Sequence, residues 1–224
     1  MLAGEVCLSC GEHFGFVCKE CLEKLPYNKE SCCVKCSIPL QNAGDSAICG
    51  DCLRNPPAYT RIYSLFTYEG VVKEIIHKAK FNQKSFYFER LFDLAKGELA
   101  ADISIFSDYN VIIPIPVSKK RLLERGYNQS AIIAKLLSKL IKRPVLLTTL
   151  IKVKDTKPQT NFGREERFKN VKDAFSLKNK LNSVKVILVD DIVTTTATVR
   201  EASKVLKKGG ADEVIVFSLT RAKE

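Results

Sequence analysis

Cysteine placement constrains this chain more than any other feature: all nine of its cysteines lie before residue 53. Eight of them form four Cys-x-x-Cys pairs, Cys7/Cys10, Cys18/Cys21, Cys33/Cys36 and Cys49/Cys52. Two thiolates separated by two residues reach one metal ion from a tight turn, and two such pairs complete a tetrahedral set. The spacing therefore predicts two structural Zn2+ sites, each of four cysteines. Residues 1–56 hold few large apolar side chains, so bound metal supplies the stability that a small core lacks. Pairing in chain order closes the shortest loops; a cross-braced pairing is the alternative. Cys32 is left over and competes with Cys33. A lone Cys-x-x-Cys also serves as a redox dithiol, but four in succession favour metal. A full thiolate shell leaves no open coordination position, which points away from catalysis at the metal.

Disulfides need an oxidising compartment. The start, MLAGEVCLSC, has neither a basic region nor a long apolar stretch of the kind that directs export. No apolar run approaches the roughly 20 residues of a membrane span. A cytoplasmic protein without a membrane span is the expectation.

The formal charge of +11 is unevenly spread. Residues 1–57 carry 5 Lys/Arg and 7 Asp/Glu, whereas residues 58–224 carry 31 and 18. The second part thus suits an anionic partner, either a phosphorylated small molecule or nucleic acid. Asn55-Pro56-Pro57 marks the change and stiffens the chain. Two domains are expected, a double zinc ribbon over residues 1–56 and an α/β domain over residues 57–224.

Hydrophobic periodicity predicts strands over residues 59–68, 111–115, 146–153, 186–189 and 214–219. It predicts helices over 70–80, 91–99, 128–141 and 197–208, the third stopped by Pro144 and the last by Gly209-Gly210. Residues 154–173 are polar and basic, and read as a long mobile loop with at most a helical turn. Alternating strands and helices imply a mostly parallel sheet covered on both faces.

The most informative segment runs from Val186 to Thr198: an apolar strand, then Asp190-Asp191, then Thr194-Thr195-Thr196-Ala197-Thr198 opening a helix. Backbone N–H groups of such a turn attract a phosphate dianion, and threonine hydroxyls add donors. Carboxylates repel phosphate but accept hydrogen bonds from vicinal hydroxyls. The division of labour is acids to a ribose and the threonine loop to its 5′-phosphate. Helix capping alone would need one such residue, and here two acids and four threonines fall within residues 190–198.

This segment resembles the signature of the type I phosphoribosyltransferases, two acids, two apolar residues, then Thr-Thr-Gly-x-Thr. The whole chain resembles the ComF/ComFC family of competence-associated proteins, which is also GntX-like. The cysteine knuckles stand where that family has its zinc ribbon. Ile76-His77-Lys78-Ala79-Lys80-Phe81, Pro114-Ile115-Pro116-Val117, Glu124-Arg125-Gly126-Tyr127-Asn128-Gln129 and Asp155-Thr156-Lys157-Pro158-Gln159 resemble its other elements. Thr196 departs from the pattern: glycine usually stands there, and a Cβ opposes a positive φ.

The resemblance implies a phosphoribosyltransferase-like protein that binds phosphoribosyl pyrophosphate with Mg2+. Asp190 and Asp191 would be its catalytic residues, Thr194 to Thr198 its phosphate loop, and Arg121 and Arg125 its pyrophosphate contacts. Lys157, Gln159, Arg164 and Arg167 would sit on a flexible lid. Asn128 and Gln129 would cap the helix they begin. An active enzyme would pass a 5-phosphoribosyl group to an unidentified acceptor. The family likeness also implies a role in DNA uptake and transformation, beside other competence proteins. The rival reading is a non-catalytic ligand sensor or single-stranded-DNA binder with a degenerate pocket. Phe86-Tyr87-Phe88, interleaved with Lys80 and Lys84, would then stack on bases.

Overall fold

The structure is a computed structural model that describes residues 6–223 apart from 13–14, 29–30, 42–43, 45, 82–83 and 156–162. Two short helices, α1 (Lys19–Leu22) and α2 (Gly50–Arg54), carry the second members of two cysteine pairs. The α/β part begins with β1 (Ile62–Thr67) and α3 (Gly70–Phe81). Next come α4 (Phe86–Leu94), α5 (Lys96–Ala101), a 3-10 turn (Ile103–Phe106) and β2 (Val111–Pro114). They are followed by α6 (Lys119–Arg125), α7 (Gln129–Ile141), β3 (Leu150–Lys152), α8 (Arg164–Val171) and β4 (Phe175–Leu177). The chain closes with β5 (Val184–Val193), α9 (Ala197–Lys208) and β6 (Ala211–Arg221).

Four strands form a parallel sheet in the order β1-β6-β5-β2, and β3 and β4 make a separate antiparallel pair. This is the mostly parallel, helix-flanked sheet that the alternating pattern predicts. Because side chains alternate across a strand, β5 serves two cores at once. Ile187 and Val189 join Ile215, Phe217 and the faces of α3, α4 and α7 in one layer. Val186 and Leu188 join Val214, Val216 and the buried stripe of α9 in the other. That two-sided burial is why residues 186–189 are apolar without alternation.

The cysteine-rich segment is part of both layers. Cys7 and Cys18 pack into the first core, and Cys33, Cys36 and Cys52 into the second. Between them the chain runs along β1, the outer strand. Tyr27 bridges Phe66, Asn28 N–H donates to the Leu65 carbonyl, and Ile62 N–H donates to the Lys35 carbonyl. These bonds cover backbone groups that an edge strand otherwise leaves unpaired.

Several elements differ from the periodicity. The helix expected over 91–99 is two helices, since Ala95 (φ −94°, ψ 0°) ends α4 and starts α5. The strand expected over 146–153 shrinks to β3, whose partner β4 is a three-residue strand too short to show a period. Val145 instead makes an isolated parallel bridge to Ile112. Within the expected loop 154–173, residues 164–171 form α8, two turns rather than one. Helix α6 has no apolar period and was not expected, although Ser118 and Gly126 bracket it. Ser118 Oγ accepts from Arg121 N–H, and Gly126 (φ +77°) closes the other end.

Gly210 closes the turn from α9 to β6 at φ +103°, and a Cβ there would lie 2.1 Å from the Leu181 carbonyl oxygen. Left-handed strain and a backbone clash then add. Gly210→Ala is expected to cost about 2 kcal/mol or more, read as a lowered Tm; an unchanged Tm would show that the turn can shift.

Candidate functional site

Strand β5 pairs with β2 only as far as Pro114↔Val189, whereas its ladder with β6 continues to Val193↔Arg221. Asp190 and Asp191 therefore stand within β5 but beyond the end of β2, open on that side. Open α/β sheets take ligands at this carboxyl edge. Both acids are buried, at 8% and 9% exposure. Ser130 Oγ at the start of α7 donates to Asp190 Oδ1 (3.1 Å), and Asp191 N–H donates to the same oxygen (3.0 Å). Lys80 Nζ, on the last turn of α3, meets Asp191 Oδ2 at 2.5 Å. Burial, then the neighbouring charge of Asp191, pushes the Asp190 carboxyl up to about 7.

The cations converge from three elements. Burial and then the charge of Arg125 lower the Arg121 guanidinium, while Glu124, Asp191 and Asp155 raise it. Burial and then Arg121 lower the Lys152 ammonium on β3, while Asp190 and Asp155 raise it. Arg121, Lys152 and Lys80 thus share the field of the acid pair. Asn128 orients the joint between β2 and α7. Its Nδ2 donates to the Ile115 carbonyl (3.0 Å) and its Oδ1 accepts from Ser130 N–H (3.0 Å). Gln129 does not share the capping; it is buried, and its Nε2 has no hydrogen-bond partner among the described residues.

After Val193 the chain turns into α9 through Thr194, Thr195 and Thr196. Asp190, Ile192 to Thr194 and Thr196 to Val199 line one small concavity. Thr196 adopts φ +65°, ψ −5°, the left-handed conformation for which glycine is suited. The side chain expected to oppose a positive φ is accommodated at that φ. A β-branched residue there is strained and must be held by its surroundings. Arg200 Nε donates to Thr196 Oγ1 (2.9 Å), one turn further along α9.

The cysteines group in chain order. Cys7, Cys10, Cys18 and Cys21 form one cluster and Cys33, Cys36, Cys49 and Cys52 the other, with the four sulfurs of each within 4.8 Å of one another. The Sγ–Sγ distances of 3.9 Å (Cys10–Cys18) and 3.6 Å (Cys36–Cys49) suit thiolates around one zinc, where about 3.8 Å follows from tetrahedral bonds of about 2.3 Å. Backbone N–H groups of Ser9 and Cys18 donate to Cys7 Sγ, and Cys49 N–H donates to Cys33 Sγ. Burial alone would raise the Cys7 thiol, but the N–H groups of Cys10, Cys18 and Ser9 outweigh it and bring it to about 6. A hydrogen bond from Cys52, opposed by burial and helped by Arg221, brings Cys36 to about 5. Four cysteine sulfurs so gathered fit a metal, so each cluster could hold a zinc ion. Cys32 belongs to neither cluster and donates to Asn28 Oδ1 (3.5 Å).

Competence protein F of Haemophilus influenzae is 31% identical over 211 residues, covering 92% of this chain and 89% of that protein. The chain belongs to the competence protein F family. The DNA utilization protein YhgH of Salmonella typhimurium is 29% identical, over 93% of this chain and 91% of its own length. Competence protein ComFC of Bacillus subtilis is 29% identical over 92% and 84%. No protein-family model matches. Among solved structures, a purine phosphoribosyltransferase from Pyrococcus horikoshii covers 60% of this chain and 82% of its own. Its TM-score of 0.36 and identity of 17% are too low to argue from.

Of the residues singled out in the sequence, the fold gathers Asp190, Asp191, the 194–198 turn and Arg121 at one edge. Arg125 ends α6 beside Arg121. Arg164 and Arg167 lie on α8, which packs on α9. Lys157 and Gln159 lie outside the described residues. Tyr87 and Phe88 are core residues, which leaves Phe86 alone of that trio exposed. Lys152 and Ser130 escaped the sequence reading, and Lys80 carried no assigned role there. Their only sequence signal is a polar group on an otherwise apolar helix or strand face.

Two outcomes follow. Elemental analysis of the purified chain is expected to give about two zinc ions per chain; about one would leave a single site, and less would remove zinc. Asp190 has a folded pKa of about 7 against an ordinary 3.8, so its ionisation opposes folding above pH 7. This opposition fades as pH falls from 7 towards 4. Asp190→Asn, whose Oδ1 can keep both hydrogen bonds, should therefore raise Tm at pH 8, lose most of that advantage by pH 5 and the rest below pH 4.

Proposed function

We propose that the chain binds phosphoribosyl pyrophosphate with Mg2+ at the carboxyl edge of β5 and transfers the 5-phosphoribosyl group to a nitrogen nucleophile, in the service of DNA uptake. One observation carries the reading: two buried acids pass directly into a threonine turn whose last residue holds a left-handed φ at the N-terminus of a 12-residue helix. In this reading residues 1–56 are the metal module and residues 57–224 the ligand domain, and the protein works in the cytoplasm.

The N–H groups of the 194–198 turn and the threonine hydroxyls receive the 5′-phosphate. Asp190 and Asp191 accept the ribose hydroxyls. Lys80 pairs with Asp191 Oδ2 and so orients that carboxylate. Arg121 and Arg125 take the pyrophosphate through charge-assisted hydrogen bonds. Lys157, Gln159, Arg164 and Arg167 close over the leaving group and exclude water. The C1–N bond forms as the C1–O bond to pyrophosphate breaks, and the bonding pair departs on pyrophosphate. Mg2+, when bound with the pyrophosphate, would supply further neutralisation of that leaving group. No side chain acts as nucleophile; the chain's contribution is orientation and charge stabilisation.

The names of the relatives, competence protein and DNA utilization protein, support a place in DNA uptake. The excess of 31 Lys/Arg over 18 Asp/Glu in residues 58–224 favours a second reading, in which the same protein binds single-stranded DNA without turnover.

Calorimetric titration with phosphoribosyl pyrophosphate should show saturable binding that needs Mg2+ and falls at least tenfold in Asp190→Ala/Asp191→Ala. Absence of binding sinks the proposal. Pyrophosphate release across a panel of nucleobases and amines tests turnover; binding without release would favour sensing. Steeply salt-dependent single-strand binding is expected under the second reading, and none at low salt removes it.

A further inference from the structure

The cluster formed by Cys33, Cys36, Cys49 and Cys52 lies against the same residues that shape the threonine turn. Arg200 makes the first link. Its Nε holds Thr196 Oγ1 (2.9 Å), and its backbone N–H donates to the Thr196 carbonyl (2.9 Å). The other end of the same guanidinium grips α2: Nη2 donates to Asp51 Oδ2 (2.8 Å) and to Cys52 Sγ (3.6 Å), and Nη1 donates to the Asn55 carbonyl. Arg221 makes the second link. Its Nε donates to the Cys36 carbonyl (2.9 Å), while Nη1 donates to the carbonyls of Val193 (3.1 Å) and Thr194. Two of the four cysteines are thus joined by single side chains to both ends of the phosphate turn.

We infer that Arg200 and Arg221 are positioning residues that couple metal binding at Cys33, Cys36, Cys49 and Cys52 to phosphate binding at residues 194–198, each ligand tightening the other. The inference rests on the phosphoribosyl reading above.

The physical basis is charge and strain together. Four metal-bound thiolates present net negative charge to Arg200 and Arg221, and hydrogen bonds to an ionised acceptor are roughly twice as strong as neutral ones. Without metal, α2, five residues long, loses its anchor. Arg200 then loses part of its grip, and Thr196 loses what opposes relaxation from φ +65°. A relaxed turn no longer aims its N–H groups together. By linkage, phosphate held at the turn must raise metal affinity at this cluster by the same factor. The cluster of Cys7, Cys10, Cys18 and Cys21 packs in the opposite core, so it serves as an internal control.

The full-length zinc-loaded protein is exposed to a chelator and a thiol-alkylating reagent, with and without saturating ribose 5-phosphate, and alkylation of each cysteine is followed by peptide mass mapping. Ribose 5-phosphate is expected to slow labelling of Cys33, Cys36, Cys49 and Cys52 by about fivefold or more. Labelling of Cys7, Cys10, Cys18 and Cys21 should not change. Arg200→Lys retains the charge but cannot span Thr196 and α2, so the protection should disappear while zinc content stays at the wild-type value. Asp51→Asn, which leaves the residues of the turn unchanged, should weaken ribose 5-phosphate binding. Equal labelling of the second cluster with and without a ligand that demonstrably binds overturns the coupling. Full protection retained in Arg200→Lys and in Asp51→Asn overturns the assignment to Arg200. If the zinc-loaded wild type binds neither ribose 5-phosphate nor phosphoribosyl pyrophosphate, the phosphoribosyl reading fails and takes this inference with it.

Discussion

A single buried guanidinium organises the molecule. Arg221 closes the last strand at 1% exposure and donates to the carbonyls of Cys36, Val193, Thr194 and Ala222. A charge so far from water is tolerable only where its donors are satisfied and negative charge lies nearby. The cysteine cluster supplies that charge, since Arg221 is among the influences that keep the Cys36 thiol low. The carboxyl edge of the sheet, the start of the threonine turn and the second metal cluster therefore share one anchor. The cysteine segment is consequently a wall of the α/β unit, covering the edge of β1 and filling part of each core.

The site itself is a balance of charge. Burial, and then the charge of Asp191 beside it in the strand, raise the cost of ionising Asp190. Lys80 makes a direct ion pair with Asp191, while Asp190 accepts hydrogen bonds from Ser130 and a backbone amide. The acids differ in their partners for this reason, and Asp190 sits near its titration point at neutral pH. Arg121 and Lys152 bring positive charge to the open side, where an anionic ligand would relieve their mutual repulsion.

Much of this was legible in the residues, and for identifiable reasons. The central strand showed because burial on both faces leaves Val186 to Val189 uniformly apolar. The metal clusters showed because ligand spacing is a local property of the chain. The elements that did not show are those whose stability comes from a partner. β3 and β4 pair only with each other, α6 is defined by its end residues, and Ala95 breaks a helix whose apolar pattern continues through it. Thr196 was readable as a departure, but whether the turn would bend to suit a threonine depended on Arg200, four residues later.

The sequence by itself determined the alternation of strands and helices, eight cysteines in four closely spaced pairs, and an acid pair leading into a threonine turn, because each is written within a few consecutive residues. Tertiary structure alone decided that the cysteines group in chain order, that each cluster takes a different face of the sheet, and that Lys80, Lys152 and Ser130 meet the acids. It also decided that Arg200 and Arg221 join a cysteine cluster to the threonine turn across separations of 148 and 185 residues. Such contacts leave no local pattern, since a buried cation is stabilised by whichever carbonyls and thiolates the folded sheet brings to it.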